Sequence, residues 1–212
     1  MSLLIYAGQK NMERPPFVIL VQYGKTSTKN ISVVLNYLWV RYAAILPGDN
    51  PPNIDYTHII LSGGPNHVYH DEHCCLPDWI IETDKPVFGV CFGMQLIARL
   101  FGGKVERMSK LEKGHVIIKA TKRQRKGTKL QEIPIKQGWM NRYDRITRVP
   151  GALEITEVTN KGHIASFTDG KKWWGVQYHP ESPECVDLEC FRKFLGLRFM
   201  DKNVPLEYPP VL

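Results

Sequence analysis

Pro86-Val-Phe-Gly-Val-Cys91-Phe-Gly-Met-Gln95-Leu-Ile-Ala98 reads as a buried strand that runs through a glycine-flanked cysteine into a helix. Val87, Phe88 and Val90 are apolar and partly β-branched, as a strand covered on both faces requires. Gly89 and Gly93 bracket Cys91 in a G-x-C-x-G pattern, the thiol counterpart of the G-x-S-x-G nucleophile elbow. A tight strand-to-helix turn holds the nucleophile in a sparsely allowed backbone region, and side chains at the flanking positions would collide with neighbouring elements. The turn also leaves the cysteine at a helix N-terminus, where unpaired N–H groups and the dipole stabilise a thiolate. On these residues alone two readings stand: an attacking cysteine, or a buried packing cysteine, since free cysteines are among the most buried residues.

Outward from the elbow, strand and helix alternate through the first half. The wholly apolar run 17–21 predicts a central strand, and Ile31, Val34, Leu35, Leu38 and Trp39 predict a helix over 31–40. Strands are expected at 42–46 and 57–61, a helix at 76–83, and a helix after the elbow that stops at Gly102-Gly103. Such alternation argues for an open, mostly parallel sheet. The second half changes to short β-like runs at 116–119, 145–149, 153–158, 164–167 and 173–177, separated by Gly, Pro and Asp turns, which suggests antiparallel strands added at the sheet edge. A final helix is expected over 190–199. The segment 1–16, ending in Arg14-Pro15-Pro16, reads as a leader, 17–199 as one domain and 200–212 as a tail.

With 212 residues, 43% hydrophobic and 23% charged, the composition is that of an ordinary globular protein. No apolar run approaches ~20 residues, so no membrane span is expected. Five irregularly spaced cysteines (74, 75, 91, 185 and 190) match neither a disulfide framework nor a zinc site, and imply a reducing, cytoplasmic setting. The net charge of +7 raises nucleic acid as a partner. Yet the densest basic run, 119–129, carries no aromatics to stack bases and reads as a solvated loop, so no nucleic-acid partner is expected.

In sheets of this kind ligands gather at the carboxyl ends of the strands. Gly63-Gly64, Cys91 and His179-Pro-Glu181 all fall at such ends. A nucleophilic cysteine needs a base, and the base needs an orienting acceptor. His179 and Glu181, two apart at a strand end, suit those roles, whereas the other six histidines (58, 67, 70, 73, 115 and 163) read as satisfied core or surface residues. Gly64 lets a main-chain N–H approach an oxyanion, together with the N–H of Phe92.

Ser62-Gly-Gly-Pro-Asn-His-Val-Tyr69, Gly89-Val-Cys-Phe-Gly-Met-Gln95 and Gly175-Val-Gln-Tyr-His-Pro-Glu181 together resemble the class I (triad) glutamine amidotransferases, over about residues 17–199. Within that family the chain is most similar to the glutaminase part of GMP synthetase, through Phe101-Gly-Gly-Lys-Val105 and Trp139-Met-Asn-Arg-Tyr-Asp144-Arg145. Arg142 and Tyr143 stand where that subfamily has His-Gly, His67 where it has Ser, and Gln22-Tyr-Gly lacks its usual Asp. The resemblance implies an α/β fold with a flavodoxin-like core. It implies a catalytic Cys91, His179 and Glu181, and substrate contacts from Gly63, Gln95, Asn141 and Asp144, with Asp144 near the substrate amino group. Neither a metal nor a cofactor is implied. The expected activity is glutamine hydrolysis through a Cys91 thioester, with ammonia passed to a separate ATP-dependent synthetase, since no Walker-type loop is present. Two alternatives stay open: a free-standing γ-glutamyl peptidase or amidase of the same fold, and a regulatory module without turnover.

Overall fold

The computed structural model describes residues 15–69, 76–121 and 135–197. Most of the expected leader, the tail, most of the basic run, Cys74 and Cys75 lie outside these residues. Nine strands form one sheet: β1 (Phe17–Val21), β2 (Arg41–Ile45), β3 (His58–Leu61), β4 (Val87–Val90), β5 (Lys104–Ala120), β6 (Ile135–Arg148), β7 (Glu154–Thr159), β8 (Ile164–Thr168) and β9 (Trp173–Val176). Four helices accompany them: α1 (Lys25–Tyr37), α2 (Asp78–Glu82), α3 (Phe92–Leu100) and α4 (Leu188–Leu195).

The strand order is β2-β1-β3-β4-β9-β8-β7-β5-β6. The first five are mutually parallel and the remaining pairings are antiparallel. The parallel part has the flavodoxin-like order, in which ligands sit outside the carboxyl ends of the strands. Alternation along β1 sends Ile19 and Val21 to one face, where they join Ile59, Leu61, Met94 and Ile97. Val18 and Leu20 go to the other, against Ile31, Leu35, Phe191 and Phe194. Helices α2 and α3 therefore cover one face, and α1 and α4 the opposite one. None of the helices among the described residues is long and apolar enough to cross a membrane.

Several expected boundaries need correction. Helix α1 begins at Lys25 rather than 31, because Ser27 and Thr28 are buried through hydrogen bonds instead of apolar contact. It ends at Tyr37, and Trp39 at φ 56° turns the chain toward β2. Helix α4 stops at Leu195, where Gly196 in the left-handed region (φ 66°) caps it, short of the expected 199. The runs at 116–119 and 145–149 are fragments of two long strands, β5 and β6, that pair as a ribbon. Between the pairs Arg107↔Asp144 and Glu112↔Arg142 the register shifts, so that residues 108–111 bulge opposite Tyr143.

Candidate active site

Cys91 sits between β4 and α3 at φ 50°, ψ −101°, a strained conformation for a residue with a side chain. Its N–H donates to the Val176 carbonyl (2.8 Å), which continues the β4–β9 pairing into the turn. The flanking glycines are sterically required. A Cβ on Gly89 would lie 2.5 Å from the Gly93 carbonyl, and one on Gly93 2.5 Å from the Leu61 oxygen. The strand, turn and helix are thus locked together with the sulfur at their junction.

The β9 chain delivers the partners. Gln177, His179 and Glu181 follow it at spacing two, and the His179 N–H donates to the Trp139 carbonyl (2.8 Å), tying this segment to β6. His179 Nδ1 lies 2.9 Å from Glu181 Oε1. Burial pulls the His179 pKa down, but the Cys91 sulfur, by charge and hydrogen bond, and then Glu181 outweigh it and hold it well above the ordinary value. Both neighbours favour the protonated form of the ring. On the other side, Gln177 Nε2 reaches Cys91 Sγ at 3.5 Å, and Gln95 Nε2 donates to Gln177 Oε1 at 3.3 Å.

Gly63 and Gly64 lie where β3 ends, packed so closely that a Cβ on Gly63 would meet His179 Cε1 at 2.9 Å and one on Gly64 the Tyr23 carbonyl at 2.8 Å. The Gly63 N–H donates to Ser27 Oγ (2.9 Å), whereas the Gly64 and Phe92 N–H groups have no partner among the described residues. These two main-chain donors are available to an anion developing beside Cys91.

A cavity of about 940 Å³ opens over this cluster. All nine residues singled out from the sequence line it: Gly63, Gly64, Cys91, Phe92, Gln95, Asn141, Asp144, His179 and Glu181. Its far wall is the β5–β6 ribbon. There Asp144 is buried, with Oδ2 2.5 Å from His67 Nδ1 and Oδ1 accepting from the Tyr69 hydroxyl at 2.6 Å. Arg107 Nη1 approaches His67 Nε2 at 3.3 Å. Because the guanidinium only donates, Nε2 accepts, and Nδ1 carries the proton given to Asp144. Burial, then the hydrogen bond to Asp144, pushes the Tyr69 pKa up and keeps it a donor. Beside this network the Arg142 side chain, 1% exposed, gives Nε and Nη2 to Glu112 Oε2 at 3.0 and 2.8 Å. The pair pins β5 to β6 where the bulge ends.

His67, expected from the sequence to be a satisfied core or surface residue, has partners in Asp144 and Arg107 and also lines the cavity. Its proximity to Asp144 gives the replacement of the usual Ser a definite structural partner. His58 does fit that expectation, with its pKa lowered by burial to about 4. Ser27 and Gln177 were missed, although both obey criteria that found the others. Ser27 follows the carboxyl end of β1, and Gln177 precedes His179 by two on the same strand face. Among the described residues no group of three or more His, Cys, Asp or Glu is placed to hold a metal ion.

The family profile for glutamine amidotransferase class-I matches residues 19–194. The chain belongs to the class I glutamine amidotransferases. These are cysteine-dependent, glutamine-hydrolysing enzymes. A glutamine-hydrolysing GMP synthase of Thermotoga petrophila is 33% identical over 171 residues, covering 77% of this chain and 32% of the relative. That of Thermosipho africanus is 34% identical over 152 residues, covering 66% and 28%. The chain thus spans about a third of the length of these relatives. Among solved structures, a protein of Thermoplasma acidophilum provisionally assigned as one subunit of GMP synthase superposes with a TM-score of 0.73 at 21% identity, over 88% of this chain and 95% of that one. A glutamine amidotransferase of Thermotoga maritima gives 0.64 at 16%, over 79% and 77%. At these identities the structures speak for the fold.

Proposed function

We propose that the chain is a glutaminase that hydrolyses the side-chain amide of glutamine and supplies ammonia to a separate ATP-dependent synthetase of the GMP synthetase type. The observation that carries this reading is the convergence of Cys91, His179 and Glu181 with two unpartnered main-chain N–H groups in one cavity. Cys91 passes its thiol proton to His179 as Sγ attacks the side-chain carbonyl carbon, and the oxygen takes negative charge facing the Gly64 and Phe92 N–H groups. One such donor is typically worth ~3–4 kcal/mol. The His179 imidazolium gives its proton to the amide nitrogen, the C–N bond breaks, and ammonia leaves a glutamyl thioester. Neutral His179 then takes a proton from water as the water attacks the thioester, and returns it to the sulfur as glutamate departs. Glu181 keeps the ring oriented throughout.

Substrate holding falls to Gly63, Gln95, Asn141 and Asp144. Asp144, fixed by His67 and Tyr69, is matched to a substrate ammonium. The similarity to glutamine-hydrolysing GMP synthases supports the synthetase type, and with it a place in purine synthesis. The free thiols Cys91, Cys185 and Cys190 suit a reducing cytoplasm.

A second reading, a γ-glutamyl peptidase or amidase, is favoured by one observation. The cavity is near the upper end of the ~300–1,000 Å³ range of ligand pockets, ample for an amide substituent larger than hydrogen. Ammonia release from glutamine, measured alone and with the ATPase component of GMP synthetase, against cleavage of γ-glutamyl dipeptides, tests both. Glutamine turnover stimulated by the synthetase is expected. A synthetase-independent preference for dipeptides would replace the first reading with the second.

A further inference from the structure

Ser27 stands outside the triad yet touches two parts of the machinery at once. It lies buried in the first turn of α1. Its Oγ accepts from the Gly63 N–H (2.9 Å), so its one proton is directed to Glu181 Oε1, at 2.6 Å. His179 Nδ1 lands on the same oxygen at 2.9 Å, while Glu181 Oε2 is buried with no hydrogen-bond partner among the described residues. The carboxylate is therefore aimed by two donors on a single oxygen, one from the base and one from α1. Gly63 makes the junction possible, since a Cβ there would lie 2.9 Å from His179 Cε1 and 3.2 Å from Ser27 Oγ.

We propose that Ser27 is a positioning residue that fixes the triad carboxylate and the Gly63-Gly64 loop as one unit. Donation runs from the loop amide to the hydroxyl and from the hydroxyl to the carboxylate, which also accepts from His179 Nδ1. Displacement of the loop would slacken Glu181, and loss of the hydroxyl would release both. The consequence is a coupling: the hydroxyl acts on the reaction through Glu181 and has little effect without it.

The test compares Ser27→Thr with Ser27→Val, two side chains of equal shape that differ by the hydroxyl, each in the native and the Glu181→Gln background. It rests on the proposed glutamine hydrolysis for its first readout. With glutamine, Ser27→Val is expected to lower kcat about 10- to 100-fold relative to Ser27→Thr, the scale of one hydrogen bond to a charged group, with KM changed less than about threefold. In Glu181→Gln the two should differ by less than about threefold. Equal kcat for Thr and Val, or the same ratio in both backgrounds, overturns the proposal. A second readout needs no substrate: the rate of Cys91 alkylation by iodoacetamide, followed on the Cys91 peptide by mass spectrometry, in the same four variants. If the native protein hydrolyses no amide, the functional reading fails, while the Thr-to-Val ratio of alkylation rates, with or without Glu181, still decides the role of Ser27.

Discussion

The two halves of the sheet are built by opposite rules. In the parallel half, the buried positions of β1, β3 and β4 are apolar, and the polar groups wait until the strands have ended, at Tyr23-Gly24, Gly63-Gly64, Cys91 and His179. In the ribbon, polar groups sit inside the strand: the inward face of β6 runs Gly138, Met140, Arg142, Asp144, Ile146. A buried charge is costly unless it is paired, and here each one is, Arg142 to Glu112 and Asp144 to His67 and Tyr69. Under the proposed function, the parallel half would fix the reacting atoms by packing, while the ribbon would present a substrate wall held by charge networks. Substitutions in the first should act on kcat or on folding, and those in the second on KM.

Four substitutions sharpen or break that division. Cys91→Ala should lower glutamine turnover at least about 10⁴-fold while the protein still unfolds cooperatively on heating. Substantial residual hydrolysis would move the nucleophile elsewhere. Gly93→Ala places a methyl group against the Leu61 main chain and should cost about 3 kcal/mol or more in a denaturant titration. A near-native midpoint would show that the elbow is not locked by contact.

Glu181→Gln should reduce kcat about 100-fold, a scale set by triad dissections. It should also move the alkaline limb of the pH–rate profile. His179 is held above 6.5 in part by Glu181, so removing the carboxylate makes the imidazolium disappear at lower pH, and the limb shifts down. The same sign governs stability. The contribution of His179 is complete below the ordinary histidine value, ~6.5, and fades as pH rises through the raised one. Asp144→Asn, on the ribbon, should raise KM for glutamine about tenfold and leave kcat within about threefold. A fall in kcat with KM unchanged would erase the distinction between the two halves.

The same contrast explains what could be read without coordinates. The parallel strands were legible because nothing contradicts their hydrophobic pattern, and the elbow glycines announce a steric need that the structure meets at Gly93 and Leu61. The carboxyl ends of β5 and β6 were legible as short β-like runs, at 116–119 and 145–149. Their middle was not, because Arg142 and Asp144 occupy the inward face and break the pattern from which strands are recognised. The start of α1 was hidden for a related reason. Ser27 and Thr28 are polar residues buried by hydrogen bonds to Glu181, Gly63 and Ser62, and periodicity does not register them.

The central claim is that Cys91, activated by His179, is the nucleophile toward a glutamine side chain. Its most direct test is mass spectrometry of the whole protein treated with a glutamine-analogue chloroketone. The account predicts one stoichiometric adduct, on Cys91, slowed by added glutamine and strongly slowed in His179→Ala. Labelling of another cysteine, or labelling of Cys91 that glutamine does not protect against, would contradict it.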